Sequence, residues 1–368
     1  MIYLIPMAVL AVLIGIYLVF WVKRLMVFWG ADLQKRTVRI LRVVITCLVA
    51  AVSISFIYFP GLVAIHIVIA SAVFECIGFF LKKIPSIKDR RSVAKTVDMV
   101  CRSGLAGVLV AGCLMAYGYG NMNHINNTRY EFVTKKEIGR EGCRIMLITD
   151  VHYGSVQKKD VLRRKLAEIS AKKPDIVVLG GDIVEEGTDL EELNEVFGML
   201  GAIESRYGVY YVYGNHDRQP YTTRKTYTDE QLEKAITDNG IEILRDRYVT
   251  VGDDIILAGR EDASVQRKSV EAVLSEADKN KFIIVADHQP MEADEARAEG
   301  ADLQLSGHTH AGQIWPTGLL LEWMGQYNYG DYQKEGFHLV VSSGFAGWQY
   351  PVRTGRHCEY VVIDMKGK

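Results

Sequence analysis

Acidic residues are scarce in the first third of the chain. Residues 1–120 hold 4 Asp and Glu against 13 Lys and Arg, and no charged side chain precedes Lys23. Residues 121–368 reverse the balance, with 40 acidic and 30 basic residues, so a formal net charge of −1 hides two opposed halves. A surface with that acidic surplus cannot track a phosphate backbone, which excludes nucleic acid as the main partner of the later half. Internal repeats and low-complexity tracts are missing, which argues against a repeat array. Cysteine is sparse too, with six in the chain. Cys47, Cys76, Cys101 and Cys113 fall in or beside apolar runs, where a small apolar residue is unremarkable. Only Cys143 and Cys358 belong to the later half, each opening a strand-like run. Two readings stand: a disulfide in an oxidising compartment, or a pair of buried free thiols.

What the first third has instead is long apolar runs, at residues 2–22, 43–59, 62–81 and 103–120. A spanning helix needs roughly 20 such residues, so the runs predict a multi-pass membrane domain of four transmembrane helices over residues 1–120. The first run is too long, and too poorly preceded by basic residues, for a cleaved signal peptide. Pro60-Gly61 predicts a tight turn between the second and third helices. Lys23, Arg24, Lys35, Arg36, Arg39 and Arg42 lie between helices one and two. Lys82, Lys83, Lys88, Arg90, Arg91, Lys95 and Arg102 lie between helices three and four. The positive-inside rule puts both segments in the cytoplasm and everything after residue 120 on the extracytoplasmic side. Glu75 and His66 within the third run are either functional groups or helix-packing groups.

Residues 121–142 read as a polar, irregular linker. The remainder, 143–368, alternates strands and helices. Apolar runs at Cys143–Thr149, Asp175–Leu179, Val209–Tyr213, Ile255–Ala258, Phe282–Ala286, Leu303–Ser306, Leu339–Ser342 and Tyr360–Ile363 predict strands. Helical spacing falls at 157–172, 188–201, 228–239, 267–278 and 291–299. This is an α/β domain, with two packed sheets flanked by helices.

Five motifs carry the chemistry: Asp150-Val151-His152, Gly181-Asp182, Gly214-Asn215-His216-Asp217, Asp287-His288 and Gly307-His308-Thr309-His310. They hold five of the nine histidines, and most follow a strand-like run. Carboxylate, imidazole and amide oxygen together suit Mn, Fe or Zn. On an extended strand end, Asp150 and His152 would point to one side, as would His308 and His310. Asp182 follows two glycines that permit a sharp turn, and a lone carboxylate there can bridge two ions.

As a set these motifs resemble those of the calcineurin-like metallophosphoesterases, in particular the bacterial membrane-associated YkuE- and YaeI-like branch. The resemblance covers residues 143–364. It extends to Leu147-Ile148-Thr149 before Asp150, Gln289-Pro290, Ala311-Gly312-Gln313, Val341-Ser342-Ser343-Gly344 and Pro351-Val352-Arg353. It implies a four-layer α/β/β/α sandwich holding two divalent metal ions at strand ends. One ion would take Asp150, His152 and His310, the other Asn215, His288 and His308, with Asp182 bridging. His216 would contact the phosphoryl oxygens with Asn215, or protonate the leaving group, with Asp217 orienting it. A hydroxide bridging the ions would attack phosphorus in line, leaving no need for a Ser or Cys nucleophile. Gly259-Arg260-Glu261-Asp262 departs from the family pattern.

The function expected is a membrane-anchored, extracytoplasmic hydrolase of a phosphomonoester or phosphodiester. The alternative is a membrane sensor or transport-type protein whose outer domain binds a phosphorylated ligand without turning it over. Residues 315–332 hold Trp315, Leu319, Leu320, Leu321, Trp323, Met324, Tyr327 and Tyr329 directly after the last metal motif. Either this segment meets membrane lipids and the substrate is a phospholipid, a lipid-linked phosphate or an anchored cell-wall polymer, or it completes a core.

Overall fold

The computed structural model describes residues 4–55, 58–139, 142–154, 157 and 159–367. The chain divides into two units, Met1–Tyr117 and Gly118–Lys368.

The first unit is helical: α1 (Leu4–Phe28), α2 (Arg36–Ile54), α3 (Phe59–Leu81), α4 (Pro85–Lys88), α5 (Arg91–Arg102) and most of α6 (Leu105–Met122). Among the described residues, α2, α3 and α6 are long and apolar enough to cross a membrane. The remaining run expected to span, residues 2–22, falls in α1, and residues 1–3 lie outside the described residues. Pro60-Gly61 is not a turn, as expected, but the first turn of α3. Proline is tolerated there because an N–H at a helix start has no intrahelical partner to lose. A Cβ on Gly61 would sit 2.1 Å from the Ser55 carbonyl oxygen, so this glycine permits close approach to the end of α2. Glu75 accepts from Arg24 Nε at 3.0 Å and Tyr17 Oη at 3.3 Å, and His66 Nδ1 lies 2.8 Å from the Leu62 carbonyl. Both groups are satisfied by neighbouring helix residues, which supports their packing role.

The second unit follows the end of α6 with β1 (Ile125–Thr134), β2 (Cys143–Ile148), α7 (Lys159–Ser170), β3 (Ile176–Leu179), α8 (Leu190–Gly201), β4 (Val209–Tyr211), α9 (Asp229–Thr237), β5 (Ile241–Ile243), β6 (Arg247–Val251) and β7 (Ile255–Gly259). It continues with α10 (Val270–Leu274), β8 (Phe282–Ala286), α11 (Ala293–Ala298), β9 (Leu303–Ser306), α12 (Thr317–Trp323), β10 (Gly330–Lys334), β11 (Phe337–Val341) and β12 (Cys358–Gly367). Local chemistry punctuates the helices. Asp189 and Glu192 form a capping box on α8, and Thr228 and Gln231 form one on α9, satisfying otherwise orphaned N–H groups.

The strands form two six-stranded sheets, ordered β1-β12-β2-β3-β4-β5 and β10-β11-β9-β8-β7-β6. In the first, β2 through β5 run parallel. In the second, β7, β8, β9 and β11 do. Three buried cores hold the unit together. One packs α7, α8 and α9 on the first sheet, one joins the sheets through residues such as Leu147, Val178, Leu257 and Ile284, and one packs α10 and α11 on the second sheet. Strands β2, β3, β8 and β9 are buried on both faces, which explains their continuous apolar sequences.

Residues 121–142 are not the irregular linker expected. Residues 125–134 form a ten-residue strand paired in parallel with β12. Ile125 and Phe132 are buried, whereas the residues between are polar or partly exposed, and this polarity masks an edge strand with one wet face. The same register decides the cysteine question. Cys358 pairs with Ile125 and Cys143 with Met365, seven residues further along β12, about 23 Å of strand. That separation precludes a disulfide. Both are buried free thiols, and burial pushes Cys143 up to about 12. Because Phe132 anchors β1 in the core between the sheets, Phe132→Ala in the full-length protein should cost about 3 kcal/mol, read as a lower thermal midpoint.

Candidate metal centre

The motif residues converge at the carboxyl ends of the parallel strands, drawn from both sheets. Asp150 and His152 follow β2, Asp182 follows β3, Asn215 follows β4, His288 follows β8, and His308 and His310 follow β9. Two clusters result, each with potential ligand atoms within 4.8 Å of one another. The first cluster brings together Asp150, His152 and His310, and the second brings Asp182 together with His288 and His308. Asp182 stands between the groups, its Oδ2 3.1 Å from His288 Nε2 and 3.9 Å from His152 Nε2.

The backbone route differs from the expectation. Neither Asp-x-His nor His-x-His lies on an extended strand end. Asp150, His152, Asp182, His308 and His310 all have positive φ, at 55°, 44°, 51°, 70° and 48°. Five such non-glycine residues in one place mark a site whose conformation the surroundings enforce. Consequently His308 and His310 turn to different clusters. The turns are pinned to one another: Asp150 N–H donates to Gly181 O at 3.0 Å, and Val151 N–H to Asp182 O at 2.9 Å. Gly181, at φ 87°, has no room for a side chain, since a Cβ would lie 2.5 Å from Gly214 N.

The hydrogen bonds behind the imidazoles suit metal ligation. His288 Nδ1 lies 2.8 Å from Gly180 O, His310 Nδ1 3.2 Å from Ala346 O, and His152 Nδ1 3.0 Å from Glu185 Oε2. For His288, the tautomer that donates from Nδ1 to the Gly180 carbonyl leaves the Nε2 lone pair facing the centre. His152 and His310 bring their Nε2 atoms within 3.2 Å. Asn215 Oδ1 is buried with no hydrogen-bond partner among the described residues, as an oxygen reserved for a cation would be. Electrostatics divide the site. Burial holds His310 down to about 3, reinforced by His152 and Arg353 against the pull of Asp150. Burial opposes protonation of His288, yet Asp182 raises it well above the usual range. Burial opposes ionisation of Asp182 in turn, and His288, His152 and His216 overcome it and hold the carboxyl well below its usual range. The donor set combines carboxylate oxygen, imidazole nitrogen and an amide oxygen about one centre, and it fits two divalent cations.

Asp217 does not orient His216. Its oxygens accept the backbone N–H groups of Asp182 and Gly214 at 2.9 and 2.6 Å, and of Ile183 and Val184 at 2.9 and 3.2 Å. It ties the Asp182 turn to the Asn215 turn. Glu186 takes the place expected of it, 2.7 Å from His216 Nδ1. Glu185 and Glu186 were missed in the sequence, although two carboxylates directly after Gly-Asp-Ile-Val are a visible signal. Asp287 is not a ligand either. It is bound by Arg267 at 2.9 Å and Arg260 at 3.2 Å, which gives the departing Gly259–Asp262 segment a structural role beneath the His288 turn.

Above the centre lies an open cleft of about 670 Å³, with His216 flanked by Tyr221 and Trp348 at ring separations of 5.0 and 5.3 Å. These geometries separate two acidic residues experimentally. Asp217→Asn places an amide against N–H donors and should cost on the order of 3 kcal/mol of stability, seen as a lowered melting midpoint. Glu186→Gln should leave the midpoint in place and lower turnover by tenfold to about a hundredfold, because a positioned proton-transfer group contributes at that scale.

Similarity to known proteins bears on this geometry. The family described as calcineurin-like phosphoesterase matches residues 143–312. A Helicobacter pylori protein named as a metallophosphoesterase is 32% identical over 217 residues, 57% of this chain and 56% of that protein. Bacillus subtilis YkuE, also named as a metallophosphoesterase, is 28% identical over 284 residues, 72% of this chain and 95% of that one. A Danio rerio transmembrane protein with metallophosphoesterase domain is 30% identical over 241 residues, 61% of this chain and 53% of that protein. The chain thus spans just over half the length of the first and third relatives and nearly all of YkuE. The matched residues 143–312 hold all the motifs that gather into two ligand clusters at the strand ends, so it is the metal-site region of this chain that is similar to the calcineurin-like phosphoesterases.

Proposed function

We propose that the protein is a membrane-anchored, extracytoplasmic phosphoesterase working with two divalent metal ions, Mn, Fe or Zn. The observation that carries this reading is the pair of ligand clusters meeting at Asp182 beneath an open cleft. In this reading residues 1–120 form the membrane domain with four spans, α1 being the fourth. Residues 121–368 form a four-layer α/β/β/α phosphoesterase domain, an arrangement supported by its three cores. The run of basic residues between spans one and two and between spans three and four supports the orientation.

Asp150, His152 and His310 would hold one ion, Asn215, His288 and His308 the other, and Asp182 both. When bound, the ions supply charge neutralisation for the phosphoryl oxygens and lower the pKa of a water. His216 faces the cleft with Nδ1 held by Glu186, so Nε2 is the atom that meets the ester. It delivers the proton to the leaving oxygen as the ester P–O bond breaks and water oxygen joins phosphorus. Asn215 and His216 hold the phosphoryl group in line. The substrate is a phosphomonoester or phosphodiester, borne on a lipid or a cell-wall carrier.

The test uses the full-length protein in detergent, stripped with a chelator and refilled with Mn or Zn, against a chromogenic diester and monoester. Turnover of one ester should return only with metal, and Asp182→Asn should reduce it at least about a hundredfold. Metal binding without turnover of any ester would favour the sensor reading instead.

A further inference from the structure

In the segment following the His310 turn, Tyr327 packs against the core of the second sheet, but the residues before it do not. Trp315, Leu319, Leu320, Trp323 and Met324 are 64, 57, 53, 85 and 39% exposed. Their arrangement on α12 is ordered. At 100° per residue, Leu319, Leu320 and Trp323 share one face. Gly318 and Glu322 share the opposite one, where Gly318 packs against the Ala311 carbonyl and Glu322 accepts from Asn328 Nδ2 at 3.3 Å. Thr317 and Leu321 lie between, and both line the metal-site cleft, together with Ile314 and Trp348. One short helix therefore presents an apolar face outward and an apolar edge into the cleft. A patch of two Trp, two Leu and a Met beside an active-site mouth is not the scattered surface apolarity of ordinary proteins.

Chain continuity with α6 indicates what covers that face. α6 is long and apolar enough to span a membrane, and its last turn, Gly118–Met122, belongs to the second unit. Gly118 O accepts from Arg353 N–H at 2.9 Å, and Asn121 Nδ2 donates to the carbonyls of Arg353 and Arg356 at 3.0 and 3.3 Å. The same loop takes up the start of the exposed segment, as Trp315 N–H donates to Thr354 Oγ1 at 3.0 Å. Within the second unit, loop 353–356 is thus hydrogen-bonded both to the last turn of a candidate span and to the start of the exposed segment. Tryptophan is the residue that favours the membrane–water interface, with its ring in the acyl boundary and its N–H among headgroups.

Resting on the phosphoesterase reading above, we propose that α12 inserts its Leu319–Leu320–Trp323 face into the bilayer and opens the metal-site cleft onto it. The substrate class is then a phosphate ester carried by a membrane lipid. Its phosphoryl group reaches His216 and the ligand clusters, while its apolar chain leaves along Leu321 and Ile314 to remain in the membrane.

Two measurements on the full-length protein in phosphatidylcholine nanodiscs test this. The first is fluorescence with lipids brominated on their acyl chains, taking the emission lost in Trp323→Phe as the signal of Trp323. That signal should be quenched by more than half, and an unquenched Trp323 overturns the insertion. The second compares hexadecyl and methyl p-nitrophenyl phosphodiesters, which share one reacting bond and differ only in the chain. The wild type with Mn should favour the hexadecyl ester at least tenfold in kcat/KM. Leu320→Ser with Trp323→Ser should abolish that preference and leave the methyl ester within twofold of the wild type. Equal rates on both esters in the wild type overturn the lipid assignment, as would a preference that survives in the variant. If neither diester is cleaved and the chromogenic monoester is not cleaved either, the phosphoesterase reading itself fails, and quenching alone decides the insertion.

Discussion

A fully buried carboxylate at the meeting point of two sheets governs this molecule. Asp182 is 1% exposed and holds its charge in surroundings that disfavour it. Leaving such a charge without a partner is costly, so everything near it is arranged to answer it. His288 and His152 approach from the sides, and the His216 N–H donates to Oδ1 at 2.8 Å. Asp217 lies behind it, itself pushed up to about 6 by burial and by Asp182, with backbone N–H groups opposing the shift. Divalent cations answer the remaining demand, since they supply the concentrated positive charge that imidazoles deliver only when protonated.

That demand explains why the fold needs both sheets. The first contributes Asp150, His152, Asp182 and Asn215, the second His288, His308 and His310. The core between the sheets fixes their separation, because close-packed Leu, Ile and Val side chains leave no slack for the strand ends to drift. The turns beyond the strands then bear left-handed backbone at five positions that side chains ordinarily avoid. Their conformational cost is met by cross-turn hydrogen bonds from Asp150, Val151 and Phe345, and by the buried Arg353 guanidinium, which binds Ser343 O and Ala346 O at 2.8 Å each. Pro351-Val352-Arg353 thus reaches the site through His310, whose carbonyl accepts from Arg353 Nη1 at 3.2 Å.

The organisation outward from the centre is continuous. His216 takes its orientation from Glu186 and its walls from Tyr221 and Trp348. Ile314, Thr317 and Leu321 line the cleft, and loop 353–356 is hydrogen-bonded both to Trp315 and to the last turn of a candidate span. The candidate site, the exposed apolar segment and the end of a candidate span therefore share neighbouring backbone.

Much of this was legible in the sequence. Long apolar runs announced the three helices long and apolar enough to cross a membrane, since the bilayer sets such lengths regardless of tertiary contacts. Eight strands could be located because strands buried on both faces keep uninterrupted apolar runs, and the metal motifs stood out because few functions require Asp, Asn and His at the ends of such strands. Other features had no local signature. The strand Ile125–Thr134 is polar along its wet face, and only pairing with β12 makes it a strand. Pro60-Gly61 has the sequence of a turn and the position of a helix start. Asp217 and Glu186 carry the same charge near the same histidine, and which one faces it depends on turns more than thirty residues apart in sequence. Sequence by itself determined the residue types, their order and their chemistry, because those are local. Only the tertiary structure decided which atoms meet, because left-handed turns and inter-sheet packing set directions that no spacing encodes.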